Sequence, residues 1–153
     1  DMGRRTVKAF QARNRFVHME FFRLTEAKAG IGEVGDFAGL EVNMRPAGGY
    51  TPDMFNYAGS LDVYQIWADM VAKQHSDVDQ NQRKYFCVYA GRRDGKRYRH
   101  SDEEVMRVYG SRIVMKERIP GILSGAMGNQ MYTAKVDSKQ DVDDFIRFVQ
   151  EQV

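Results

Sequence analysis

The chain has 153 residues, 42% of them apolar and 29% charged, with 23 Lys and Arg against 21 Asp and Glu for a formal charge of +2. That length and balance allow a real buried core and exclude wholesale disorder, and near-neutral charge speaks against nucleic acid or an anionic membrane as the default partner. The single cysteine, Cys87, excludes a disulfide framework or a cysteine-rich metal site and suits a reducing compartment. No apolar run approaches the roughly 18 residues needed to cross a bilayer, and Asp1-Met2-Gly3-Arg4-Arg5 lacks the apolar core of a secretory signal. The expected location is the cytoplasm.

Residues 5–13, basic with interleaved apolar positions, predict a short helix. Residues 15–24 are aromatic and predict a strand, with Phe16, His18, Glu20 and Phe22 on one face and Val17, Met19 and Phe21 on the other. A carboxylate thus falls in the middle of an otherwise apolar strand. The Gly-rich stretch 25–36 reads as an irregular connection. Residues 40–45 form the next strand, with Leu40, Val42 and Met44 on one side and Glu41, Asn43 and Arg45 on the other, ended by Pro46 and the turn Ala47-Gly48-Gly49-Tyr50. Thr51-Pro52 opens a helix to about Ala58, and Val63, Ile66, Trp67, Met70 and Val71 form the apolar stripe of a second helix from about Leu61. Residues 74–83 are polar and read as a loop.

Residues 84–93 predict a strand, Asp94-Gly95 a hairpin turn, and 96–99 the returning strand. Ser101 with Glu104 matches a capping box for a short helix to Tyr109. A strand at 112–118, a loop at 120–128, a strand at 130–136 and a terminal helix at 138–152 complete the chain. Strands and helices are intermixed and several strands are joined by turns. The expectation is an α+β fold, a mostly antiparallel sheet flanked by helices, organised as a first part at 1–78 and a C-terminal α+β extension at 79–153 packed on the same core.

The informative residues are Glu20, Glu41, Asn43 and Arg45. Two-residue spacing puts carboxylate, amide and guanidinium in a row on one strand face. If the Glu20 strand pairs with this one, two carboxylates converge and repel unless a cation or a proton lies between them. Oxygen ligands of this kind suit Mg²⁺ or Mn²⁺, and Arg45 would neutralise charge on a transferring phosphoryl group. The same alternation is also what the wet side of an ordinary antiparallel sheet shows.

His18-Met19-Glu20-Phe21-Phe22 followed by Glu41-Val42-Asn43-Met44-Arg45-Pro46-Ala47-Gly48-Gly49 resembles the end of the catalytic region of ATP-grasp ligases, the family of carbamoyl-phosphate synthase and biotin carboxylase. The resemblance covers roughly residues 5–73 and implies the C-terminal subdomain of that fold. It implies that Glu20, Glu41 and Asn43 bind metal and the MgATP (or MnATP) cofactor. It implies that Arg45 is the catalytic cation steadying an acyl phosphate, with Asp53 near the substrate side. It further implies a small-molecule carboxylate substrate, activated at the expense of ATP. The phosphate-binding lysines and flexible Gly-rich loop of the family have no counterpart before Arg15. The chain is therefore expected to act with missing N-terminal ATP-grasp subdomains and to be inactive alone, and an apolar surface left by those subdomains would favour homodimers.

Other residues are read plainly. His18 reads as a structural histidine near the site, since carboxylate-rich Mg²⁺ sites seldom need imidazole. His75 and His100 show no zinc spacing with Cys87, itself a packed thiol. Gly125-Ala126-Met127-Gly128 lacks the ending of a phosphate loop. Arg83, Lys84, Arg92, Arg93, Lys96, Arg97 and Arg99, interleaved with tyrosines and Phe86, read as a solvated hairpin tip. The alternative is a non-catalytic interaction module in which that hairpin docks an anionic partner or single-stranded nucleic acid.

Overall fold

The computed structural model describes residues 1–79 and 81–153. Gln80, within the polar stretch at 74–83, lies outside the described residues. The elements run α1 (Met2–Ala9), β1 (His18–Arg23), β2 (Phe37–Asn43), α2 (Thr51–Gly59), α3 (Val63–Lys73), β3 (Phe86–Arg92), α4 (Asp102–Tyr109), β4 (Ile113–Arg118), α5 (Gly121–Met127), β5 (Gln130–Val136) and α6 (Lys139–Gln150). The fold is α+β with antiparallel pairing, as the sequence predicts, but the strands make two small sheets, β1-β2 and β3-β5-β4. The chain divides into two compact units, one of Asp1–Pro52 with Asp62–Val78, the other of Asp53–Leu61 with Asp79–Val153. No helix among the described residues is long and apolar enough to cross a membrane.

In the first unit β1 and β2 pair antiparallel with Glu20 opposite Glu41 and His18 opposite Asn43. The register then slips, so that Phe21 faces Gly39 and Leu40 has no partner. Leu40 was expected to share the core face with Val42; instead this one-residue bulge leaves it 54% exposed. The strand ends are tied where the Leu24 amide donates to the Asp36 carbonyl (2.8 Å) and the Gly35 amide to the Leu24 carbonyl (2.9 Å). Helix α3 starts behind Asp62, whose carboxylate accepts from the amides of Tyr64 and Gln65, two of the donors a helix start leaves open. Trp67 of α3 stacks on Phe16, just ahead of β1, with ring centroids 5.8 Å apart.

The second unit holds the better-packed core. Val88 and Ala90 of β3 and Tyr132, Ala134 and Val136 of β5 share one sheet face, and Val105 of α4 with Phe145 and Val149 of α6 close over it. Helix α4 is capped as its sequence predicts, by a full capping box of Ser101 and Glu104, and at the start of α6 Ser138 accepts from the Asp141 amide. Arg92 reaches into the end of this core, where its Nε donates to the Val149 carbonyl at 2.6 Å.

Two expectations in this unit are corrected. Residues 96–99 do not return along β3, whose partner is β5. Instead the Arg99 amide donates to the Glu151 carbonyl (2.9 Å) and the Val153 amide to the Arg97 carbonyl (3.2 Å), so this stretch pairs with the C-terminal residues. Residues 121–127, expected as loop, form α5 despite Gly121 and Gly125. Partners distant in sequence cap its C-terminal carbonyls: the Arg93 guanidinium donates to the Ser124 and Gly125 carbonyls, and the Tyr89 hydroxyl to that of Met127. Those bonds offset the poor helix propensity of glycine.

Candidate metal centre

Directly opposed residues of an antiparallel pair lie on the same side of the sheet. The pairs Glu20–Glu41 and His18–Asn43 therefore stack two deep on one face of β1-β2. The His18 ring stands between the carboxylates, with Nε2 3.3 Å from Glu20 Oε1 and Nδ1 3.4 Å from Glu41 Oε1. The Asn43 amide donates to Glu41 Oε1 at 2.8 Å and lies 3.5 Å from His18 Nδ1. The His18 side chain is 25% exposed and those of Glu20 and Glu41 are 48% and 46% exposed, so the carboxylates open to solvent while the imidazole forms the floor. Donor atoms of His18, Glu20 and Glu41 all lie within 4.8 Å of one another.

The chemistry follows from that geometry. Two carboxylates held this close destabilise each other, and a positive charge between them relieves it. A neutral imidazole can donate from only one nitrogen. It can therefore serve one carboxylate as a hydrogen-bond donor and still offer a lone pair. The donor set is two carboxylates, one imidazole and a neighbouring amide that orients Glu41. It fits a divalent cation, and the imidazole makes Mn²⁺ at least as suitable as Mg²⁺. The bulge at Leu40 lies beside Glu41, and bulges re-aim side chains where a strand passes a site.

Comparison of the chain with protein-family models, curated proteins and solved structures returns no match. The reading of the site therefore rests on the residues themselves.

The structure brings together three of the four residues singled out in the sequence. Glu20, Glu41 and Asn43 share the cluster, whereas Arg45 follows the end of β2 and its Nη1 donates to the Pro46 carbonyl at 2.8 Å. Asp53 sits in the first turn of α2. Sequence reasoning set His18 beside the site as a support; the structure places it among the candidate ligands. The signal was available, since His18 and Glu20 are two residues apart on a strand and share a face.

The remaining histidines lie elsewhere. His100 stacks on Phe148 with centroids 3.7 Å apart, and His75 lies 3.8 Å from Asp77. Cys87 is half-buried, and burial pushes its thiol up to about 11 against the opposing charge of Lys135. Most of the basic stretch makes contacts within its own unit. Arg83 pairs with Asp137, Lys84 donates to the Gly59 carbonyl, Arg92 is buried, Arg93 holds α5, and Arg99 pairs with Glu151 at 2.7 Å.

Proposed function

We propose that the chain forms the metal and phosphate wall of an ATP-dependent carboxylate ligase of the ATP-grasp kind, in which a carboxylate is activated as an acyl phosphate. The observation that carries this reading is the direct pairing of Glu20 with Glu41, with Asn43 bonded to Glu41, just ahead of Pro46 and the Gly48-Gly49 turn. Glu20, Glu41 and the His18 imidazole hold the cation, and Asn43 fixes the rotamer of Glu41. A bound Mg²⁺ or Mn²⁺ would neutralise the oxygens of a triphosphate. Arg45 is the cation assigned to the phosphoryl group, a role that requires its side chain to rotate off the Pro46 carbonyl. The remainder of the nucleotide site, and turnover, are assigned to polypeptide outside these residues.

The reading is tested by titrating the isotope-labelled chain with ATP, with and without Mg²⁺. Resonances of Glu20, Glu41 and the Asn43 side-chain amide are expected to move with MgATP and much less with ATP alone. If they stay in place while other signals move, the interaction-module reading replaces this one.

A further inference from the structure

A second site shares no residue with the His18 cluster. In the first unit, a surface pocket of about 430 Å³ lies between the segment after α1 and the C-terminal half of α3. Its apolar lining is Met44, Trp67, Met70 and Val71, and Arg13 and Arg15 stand at its side. Among the described residues, no acidic one lines it. The Trp67 ring is stacked on Phe16, which restrains it. Val71 is 69% exposed, which leaves apolar surface open to an occupant.

Two described residues of the lining have left-handed φ: Asn14 at 48°, in the turn after α1, and Gln74 at 61°, which is the C-cap of α3. Asn14 sets the turn that presents its two arginine neighbours, and the Nε of Arg15 donates to the Arg13 carbonyl at 3.3 Å, leaving its terminal nitrogens for other partners. An apolar concavity of this volume with a few convergent polar groups is the usual form of a small-molecule site. The formal charges among its described lining residues are two guanidiniums, which bind carboxylates with paired donors.

We propose that this pocket binds a small amphipathic carboxylate, its apolar body lying on Trp67, Met70 and Val71 and its carboxylate held by Arg13 and Arg15. The site goes beyond the metal-centred reading and does not depend on it.

Trp67, the sole tryptophan of the chain, is the reporter. The chain is titrated with octanoate and, separately, with octylammonium, both below their micellar concentrations, while tryptophan emission is followed. Octanoate is expected to give a saturable change and octylammonium none at equal concentration. The Arg13→Gln/Arg15→Gln double variant is expected to weaken octanoate binding at least about tenfold. With methyl-labelled methionine, Met44 and Met70 are expected to shift on adding octanoate while Met131, buried in the other unit, stays put. Equal responses to the anion and the cation would overturn the proposal, and so would a non-saturable response or a double variant that binds within twofold of the parent.

Discussion

The Tyr132 hydroxyl donates to Asp102 Oδ1 at 2.5 Å, tying the N-terminus of α4 to the central strand of the larger sheet. Lys116 of β4 donates to the other oxygen of the same carboxylate. Burial pushes the Asp102 carboxyl up, but the hydrogen bonds from Lys116 and Tyr132 outweigh it and hold it below the ordinary aspartate value. A carboxyl that is more acidic folded than unfolded contributes stability above its unfolded pKa of about 3.9, and that contribution is lost as pH falls through the folded value. The melting temperature is expected to drop as pH falls below about 4. Asp102→Asn is expected to lower it at pH 7 and to flatten its acid dependence. An unchanged acid profile in the variant would show that Asp102 is not linked to folding.

Gly128 locks the end of α5 against β3. It has φ of 88°, and a Cβ there would stand 2.8 Å from the Arg92 carbonyl oxygen. At Gly91 a Cβ would meet the Met127 carbonyl oxygen at 2.3 Å. Neither obstacle is a flexible side-chain end. Gly128→Ala and Gly91→Ala are each expected to destabilise the protein by about 1–3 kcal/mol, read by urea denaturation, whereas Gly95→Ala, with nothing within 4 Å, should stay within about 1 kcal/mol.

Cys87 should behave as a packed thiol. With its pKa at about 11, only about one thiol in a thousand is ionised at pH 8. Alkylation by iodoacetamide at pH 8 is expected to be far slower than for free cysteine and to accelerate in guanidinium chloride. A native rate matching free cysteine would contradict the burial of this side chain.

His18 is expected to matter differently for two ions. His18→Ala removes the only nitrogen ligand of the cluster and leaves both carboxylates, so Mn²⁺ affinity should fall severalfold while Mg²⁺ affinity changes little, because Mg²⁺ favours oxygen. Calorimetric titration with each ion gives the comparison. Equal losses for the two ions would return His18 to a purely supporting role.

These contrasts show where the sequence was legible. Alternation in residues 15–24 and 40–45 placed Glu20, Glu41 and Asn43 on common faces, the Ser101–Glu104 capping box located α4, and the apolar stripe of Val142, Phe145, Ile146 and Val149 located α6, because alternation, capping and helical periodicity are local physics. The Leu40 bulge was not legible, since it depends on how two strands share a register. Helix α5 was hidden because its stabilising partners, Arg93 and Tyr89, are some thirty to forty residues away. The Asp94-Gly95 turn pointed to a hairpin, but residues 97–99 found a better partner at the C-terminus. His18 was underweighted because its second carboxylate comes from the other strand, 23 residues later.

The central claim is that Glu20 and Glu41 hold one divalent ion between them, and Mn²⁺ binding followed by electron paramagnetic resonance tests it most directly. The wild-type chain is expected to bind Mn²⁺ saturably, and Glu20→Gln and Glu41→Gln each to weaken that binding at least about tenfold, about 1.4 kcal/mol, with the fold intact by circular dichroism. Absence of saturable binding in the wild type, or wild-type affinity in either variant, would contradict the account.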